Sequence, residues 1–172
     1  MPQEARTVLV LGGARSGKTR HAQNLAEAEP GHLLYVATAE ARDGEMQSRI
    51  ERHRADRGPR WSTIEEPLDL AGTLAAQAVP GTTVLVDCLT LWLSNLMEAG
   101  RDVRAEGDRL ARTLPALGGR VILVSNEVGL GIVPDNALAR RFRDEAGRLH
   151  QAVAAAVDRV LFMVAGLPII AK

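Results

Sequence analysis

The octet GGARSGKT, residues 12–19, satisfies the phosphate-loop pattern G-x-x-x-x-G-K-[ST], and it lies between an apolar run at residues 7–11 and helical spacing from Gly17 onward. Few short motifs constrain a fold as tightly. A polyphosphate is cradled by successive backbone N–H groups, and a strand running straight into a helix N-terminus presents them to it. On this reading Gly12, Gly13, Ala14, Arg15, Ser16 and Gly17 wrap the phosphates. Lys18 reaches the β and γ phosphates, and Thr19 offers a hydroxyl to Mg²⁺.

Further apolar runs at residues 33–37, 83–87, 121–125 and 160–165 alternate with stretches of helical spacing expected over 17–29, 44–57, 68–78, 89–98, 106–114 and 137–157. That alternation predicts an α/β fold of the P-loop NTPase (RecA-type) class, with a mostly parallel, buried sheet flanked by helices. Residues 167–171 follow the preceding run after only Gly166, too short a link for a parallel crossover, so they are expected as an antiparallel C-terminal edge strand. Residues 100–106 read as a polar connection. No repeat, low-complexity tract or linker divides the chain, so residues 1–172 are expected to form a single nucleotide-binding domain.

Charge and cysteine content narrow the partners. Lysine plus arginine equal aspartate plus glutamate at 21 each, so no global basic field points to nucleic acid or an anionic membrane, and any anion site must be local. The one cysteine, Cys88, excludes an internal disulfide framework and a cysteine-rich zinc site and suits a reducing compartment. With no signal-peptide pattern and no apolar run of membrane-spanning length, a cytoplasmic location is expected.

Beyond the loop, TVLVD ends in Asp87 where a buried strand emerges at the carboxyl edge of the sheet, the place for a second magnesium-positioning carboxylate. Thr38 follows the second strand beside the same crevice, and Asp43 is placed to cap the next helix. On that helix Met46, Ile50, His53 and Arg57 are spaced four, three and four apart on one stripe, with Arg49, Arg52 and Asp56 directed elsewhere. Periodicity alone leaves two readings of His53: a packed core histidine, or a nucleophile with Arg54 and Arg57 holding phosphate oxygens around it.

Other polar groups carry weaker signals. Asn126 and Glu127 end a strand at the same edge as Asp87, where magnesium, a water or an acceptor would be in reach. Gly129, Gly131 and Pro134 shape a loop that is either a tight turn or substrate-facing. Leu138, Phe142, Leu149 and Val153 form a stripe expected in the core, while Arg140, Arg141 and Arg143 are expected to pair at the surface with Asp144 and Glu145. His21 and His32 read as incidental, and Cys88 as a small buried residue.

Taken together, GGARSGKTRHA, YVAT, DGEMQSRIERHRADRGPRW, TIEEP, VDCLTLWLSNL and SNEVGLGIVPDNALARRFRDEAGRLHQ resemble the bifunctional adenosylcobinamide kinase / adenosylcobinamide-phosphate guanylyltransferase family of cobalamin biosynthesis. The resemblance spans nearly the whole chain. It implies two reactions: phosphorylation of adenosylcobinamide by ATP or GTP, then transfer of GMP from GTP to adenosylcobinamide phosphate, giving adenosylcobinamide-GDP and pyrophosphate. It also implies that His53 carries GMP as a phosphoramidate, that Ala37, Thr38, Ala39, Arg54, Ala55, Asp56, Arg57, Glu65 and Asp87 lie against the nucleotide, and that the protein is a homo-oligomer, a trimer in relatives. His150 stands where relatives often carry asparagine. Glycines at positions 44 and 58 bracket the His53 helix as hinges for switching between γ- and α-phosphorus chemistry. Two other readings of the phosphate loop are a small-molecule kinase with no covalent step and a nucleotide-dependent regulatory module.

Overall fold

The computed structural model describes residues 5–40, 51 and 57–172. Among these, seven strands build one sheet: β1 (Thr7–Gly12), β2 (His32–Ala37), β3 (Trp61–Glu65), β4 (Thr82–Asp87), β5 (Arg120–Asn126), β6 (Arg159–Val164) and β7 (Leu167–Ile170). Their spatial order is β3-β2-β4-β5-β1-β6-β7. All neighbours are parallel except β6 and β7, which pair antiparallel as the one-glycine link requires.

The parallel strands are aliphatic on both faces because both faces are covered. On one face Leu9, Leu34, Val36, Val84, Val86, Val121 and Leu123 pack under α2 (Leu70–Gln77), α3 (Leu89–Glu98), α4 (Val103–Thr113) and α5 (Ala137–Ala156). Their alternating neighbours Val8, Val10, Leu33, Tyr35, Leu85, Ile122 and Val124 face the other way, against Ala22 and Ala26 of α1 (Lys18–Glu27). Trp92 is fully buried in the first layer, its indole N–H donating to the Leu68 carbonyl at 2.8 Å. Helix starts are fixed by side-chain caps: Asp69 accepts from Gly72 N, Asp102 from Arg104 N and Ala105 N, and Asn136 from Ala139 N.

One strand was not expected, and two expectations need correction. The strand β3 carries no strong apolar alternation; its residues are partly exposed because it is the edge beyond β2, so the sequence pattern there is diluted. Part of the polar connection expected at residues 100–106 is helix, since Asp102 caps α4 and the helix begins at Val103. Leu138 is not core: it is 65 % exposed, and all the buried residues of α5 lie from Ala146 onward. Of the helix expected over residues 44–57, only Glu51, which is helical, and Arg57 are described; Asp43, Gly44, Met46, Arg49, Ile50, Arg52, His53, Arg54, Ala55 and Asp56 lie outside the described residues.

Candidate active site

The phosphate loop leaves β1 at Gly12 and enters α1 at Lys18. Inside it the Gly13 carbonyl accepts from Ser16 N at 3.2 Å and from the Lys18 ammonium at 3.0 Å, so the loop is closed around its own lysine. Gly17 has φ of 89°, and a Cβ there would stand 3.1 Å from Gly166 Cα. Glycine is required on both counts. The Gly166 N–H donates to the Ser16 carbonyl at 2.9 Å, so the β6–β7 turn braces the loop from behind. Glu127 N donates to the Gly12 carbonyl at 2.9 Å, tying the end of β5 to the start of the loop. Ser16 Oγ is buried with no partner among protein atoms.

Strand register gathers the other candidates at the carboxyl edge. Ala37 lies level with both Asp87 and Glu65, and Gly12 with Asn126. One strand, β5, separates β4 from β1, which sets Asp87 across from the loop rather than beside it. Asp87 accepts a 2.6 Å hydrogen bond from the Tyr35 hydroxyl, and the Arg57 guanidinium lies 3.5 Å from the centre of the Tyr35 ring. Burial and then the Asp87 charge push the Tyr35 phenol far up, so it stays protonated as the donor to the carboxylate. Arg57 is itself buried and its Nε has no partner among protein atoms.

Tyr35 was not among the sequence candidates. The signal was there in the period-2 alternation: Tyr35 is level with Leu85, so it shares the face of Asp87 two residues along. Recognising it needed the register of β2 on β4, which the sequence does not print.

Thr38 was expected to line the nucleotide crevice, and it is fully buried. Its hydroxyl accepts from Cys88 N at 2.9 Å and donates to the Cys88 carbonyl at 2.7 Å. Its N–H donates to the Asp87 carbonyl at 3.2 Å, and its carbonyl accepts from Asn95 Nδ2 at 2.7 Å. The hydroxyl and N–H of Thr38 thus lock the turn after Asp87, where the Asp87–Cys88 peptide is cis, while its carbonyl ties the segment to α3. Ala37 gives its carbonyl to Glu66 N at 2.9 Å, Ala39 is half-buried beyond it, and Glu65 is exposed at the end of β3. Asn126 donates to Thr90 Oγ1 at 2.7 Å, and the Glu127 carboxylate accepts from Gly129 N. Burial and the neighbouring Asp87 raise the Cys88 thiol above its ordinary value, consistent with a packing residue.

The protein oxygens at this edge, the Thr19 hydroxyl and the Asp87 carboxylate, are hard donors of the kind Mg²⁺ takes alongside nucleotide phosphates and water. Among the described residues no cluster of three histidine, cysteine, aspartate or glutamate side chains offers a self-sufficient metal cage. No helix among them is long and apolar enough to cross a membrane.

A family model described as cobinamide kinase / cobinamide phosphate guanyltransferase matches residues 8–170. The chain belongs to this family. It is 56 % identical over 162 residues to the bifunctional adenosylcobalamin biosynthesis protein CobP of Pseudomonas aeruginosa, covering 93 % of this chain and 94 % of that one. It is 40 % identical over 175 residues to the bifunctional adenosylcobalamin biosynthesis protein CobU of Escherichia coli, covering 93 % and 96 %. Among solved structures, the type III secretion ATPase EscN of enteropathogenic E. coli superposes with a TM-score of 0.59 at 11 % identity, over 94 % of this chain and 43 % of that one, a likeness of fold alone.

The chain therefore has the cobinamide kinase and cobinamide phosphate guanyltransferase activities of its family, on a fold like that of P-loop NTPases. In this family member the remaining basic residues divide by environment. Arg143 pairs with Asp144 at 3.0 Å, as expected, whereas Arg140 donates to the Pro134 carbonyl at 2.8 Å instead of to a carboxylate. Glu145 is taken by Arg148 at 2.8 Å. His150 is buried, its Nε2 2.7 Å from Ser125 Oγ, and His32 lies 2.8 Å from Ser62 Oγ at the surface.

Proposed function

We propose that residues 1–172 act as one catalytic domain that phosphorylates adenosylcobinamide and then guanylylates the product through His53. The observation that carries this reading is the closed phosphate loop, with buried Lys18 at one end and Asp87 held by Tyr35 across the same sheet edge. In the first step the acceptor hydroxyl oxygen bonds to the γ-phosphorus of ATP or GTP, the bond to the β-phosphate oxygen breaks, and the hydroxyl proton leaves to solvent. Lys18 exchanges its bond to the Gly13 carbonyl for charge-assisted bonds to the phosphates as charge moves onto the leaving group. Thr19 and Asp87 would hold Mg²⁺, which when bound would offset the negative charge of the phosphates.

In the second step the neutral His53 imidazole bonds to the α-phosphorus of GTP and pyrophosphate departs. A phosphate oxygen of adenosylcobinamide phosphate then displaces the imidazole, restoring His53 and leaving adenosylcobinamide-GDP. Splitting one displacement into two is what a nucleophilic side chain contributes. Gly12 to Thr19, Ala37, Ala39, Arg54, Ala55, Asp56, Arg57 and Glu65 are assigned to nucleotide contacts. Thr38 serves by holding the Asp87 turn. The support for His53 is its place among arginines in the R-I-x-x-H-R pattern of the family; the buried, part-unpartnered Arg57 four residues on supports an anion there.

The test is incubation with GTP labelled at the α-phosphate, followed by denaturation. Acid-labile, alkali-stable label on the wild-type chain that is lost in His53→Ala supports the transferase mechanism. Unlabelled protein that still phosphorylates adenosylcobinamide would reduce the reading to a simple kinase. A homo-oligomer, a trimer by resemblance, in the cytoplasm completes the proposal, supported by the exposed apolar side chains of β7, Leu167, Ile169 and Ile170. Sedimentation of the purified protein checks the assembly.

A further inference from the structure

Two adjoining cavities open beside the phosphate loop on the α3–α5 side. The narrower, about 440 Å³, begins at Ala14 of the loop and runs past Thr90, Asn126 and Glu127. The wider, about 800 Å³, is walled by Met97 of α3, Val128 and Pro134 of the following loop, and Leu138, Arg141 and Phe142 of α5. Ser94, Val128 and Phe142 line both, so they form one continuous cleft.

We propose that the wide part of this cleft seats the corrin ring of the acceptor, and that the narrow part carries its aminopropanol arm to the phosphate loop. The inference rests on the reading that the chain uses cobinamide as acceptor. A nucleotide bound on the loop has no need of a further, largely apolar cavity of about 800 Å³, near the top of the range for small-molecule sites, with Glu98, Asn136, Arg141 and Arg143 among its lining residues. A corrin does: its two faces are broad and apolar, and its rim bears amides. Met97, Val128, Leu138 and Phe142 match the faces, while Ser94 and the guanidinium of Arg141 are donors suited to amide carbonyls.

The exposure pattern supports the same occupant. Leu138 is 65 % exposed on the cleft wall, and Leu130 and Ile132, on the loop between Val128 and Pro134, are 82 % and 98 % exposed. Aliphatic side chains clustered at the mouth of a cleft mark a surface that is covered when the protein works. Continuity fixes the orientation. The end of the cleft that adjoins the phosphate loop is the one at Ala14, Asn126 and Glu127, which is where the hydroxyl of the arm has to arrive for phosphoryl transfer.

Leu138→Glu and Ile132→Glu place a carboxylate at exposed positions and are expected to leave the fold intact. Steady-state phosphorylation of adenosylcobinamide should show its KM raised roughly tenfold or more, from loss of one apolar contact and introduction of a charge. The KM for ATP and the labelling of the chain by α-labelled GTP should match wild type. Leu138→Met should retain the wild-type KM for the acceptor. An unchanged acceptor KM in both glutamate variants overturns the proposal, as does an altered sedimentation mass with that KM unchanged, which would make the cleft a subunit contact. Independently of any variant, hydrogen exchange of the wild-type, ATP-analogue-bound protein should slow across residues 128–142 when adenosylcobinamide is added. Protection confined to other segments overturns it. Wild-type protein that phosphorylates no cobinamide at all would instead sink the acceptor reading on which the inference stands.

Discussion

At the scale of single residues, the unforeseen participant is Tyr35. Its hydroxyl is the described donor to Asp87, and Arg57 closes over its ring. Removing that donor leaves a carboxylate free to rotate, and hydrogen bonds to charged groups contribute about 1.5–3 kcal/mol. Tyr35→Phe is therefore expected to raise the Mg²⁺ concentration for half-maximal kinase activity by roughly tenfold, with thermal stability little changed; a titration of activity against Mg²⁺ checks it. His150 makes a different prediction. Burial holds its folded-state pKa below the ordinary value, opposed by the Glu127 charge, so the unfolded chain binds more protons as pH falls. Its contribution to stability is complete above about pH 6.5 and erodes below it, by up to about 1.4 kcal/mol per pH unit. Denaturant midpoints measured from pH 7 down to pH 5 should fall in wild type and fall less in His150→Asn. Asp158, whose carboxylate is held low by the Thr7 backbone N–H, loses its contribution only in the more acidic range below about pH 4, so the two effects separate on the pH axis.

At the scale of elements, the phosphate loop depends on its neighbours. The hairpin of β6 and β7 supplies the Gly166 N–H to Ser16 and crowds the space a Cβ would take at Gly17. Gly17→Ala combines a left-handed backbone with a tight approach to the Gly166 backbone and is expected to weaken ATP binding at least tenfold, as read by equilibrium titration. On the opposite flank Asn95 of α3 donates to both the Thr38 and Pro67 carbonyls, at 2.7 and 3.1 Å. Asn95→Ala leaves one buried and one part-buried acceptor unmet and should lower unfolding free energy by about 2 kcal/mol, measured by chemical denaturation. None of these braces is visible in a linear reading, because each joins segments far apart in the chain through a backbone group that any residue type carries. The loop itself was legible down to its lysine, since its glycines are demanded by local conformation. Leu138 misled for a related reason: helical period tells which residues share a stripe, while the length of helix lying on the sheet decides which of them are buried.

At the scale of the whole molecule, the parallel sheet was readable because strands buried on both faces have to be aliphatic throughout, and five of the seven strands announced themselves that way, while a sixth, the exposed edge strand β7, was read from its one-glycine link. The seventh, β3, lies at an edge and lacks that signature. What no pattern conveyed was the order of the strands, and the order has a consequence for how the chain is made. The strand bearing the phosphate loop is the first to be synthesised, yet its two partners are β5 and β6, whose residues begin at Arg120 and Arg159. As a nascent chain emerges from the ribosome, TVLVLG must wait through most of translation with its backbone groups and aliphatic side chains unmatched, the kind of long-range closure that slows folding and invites chaperones.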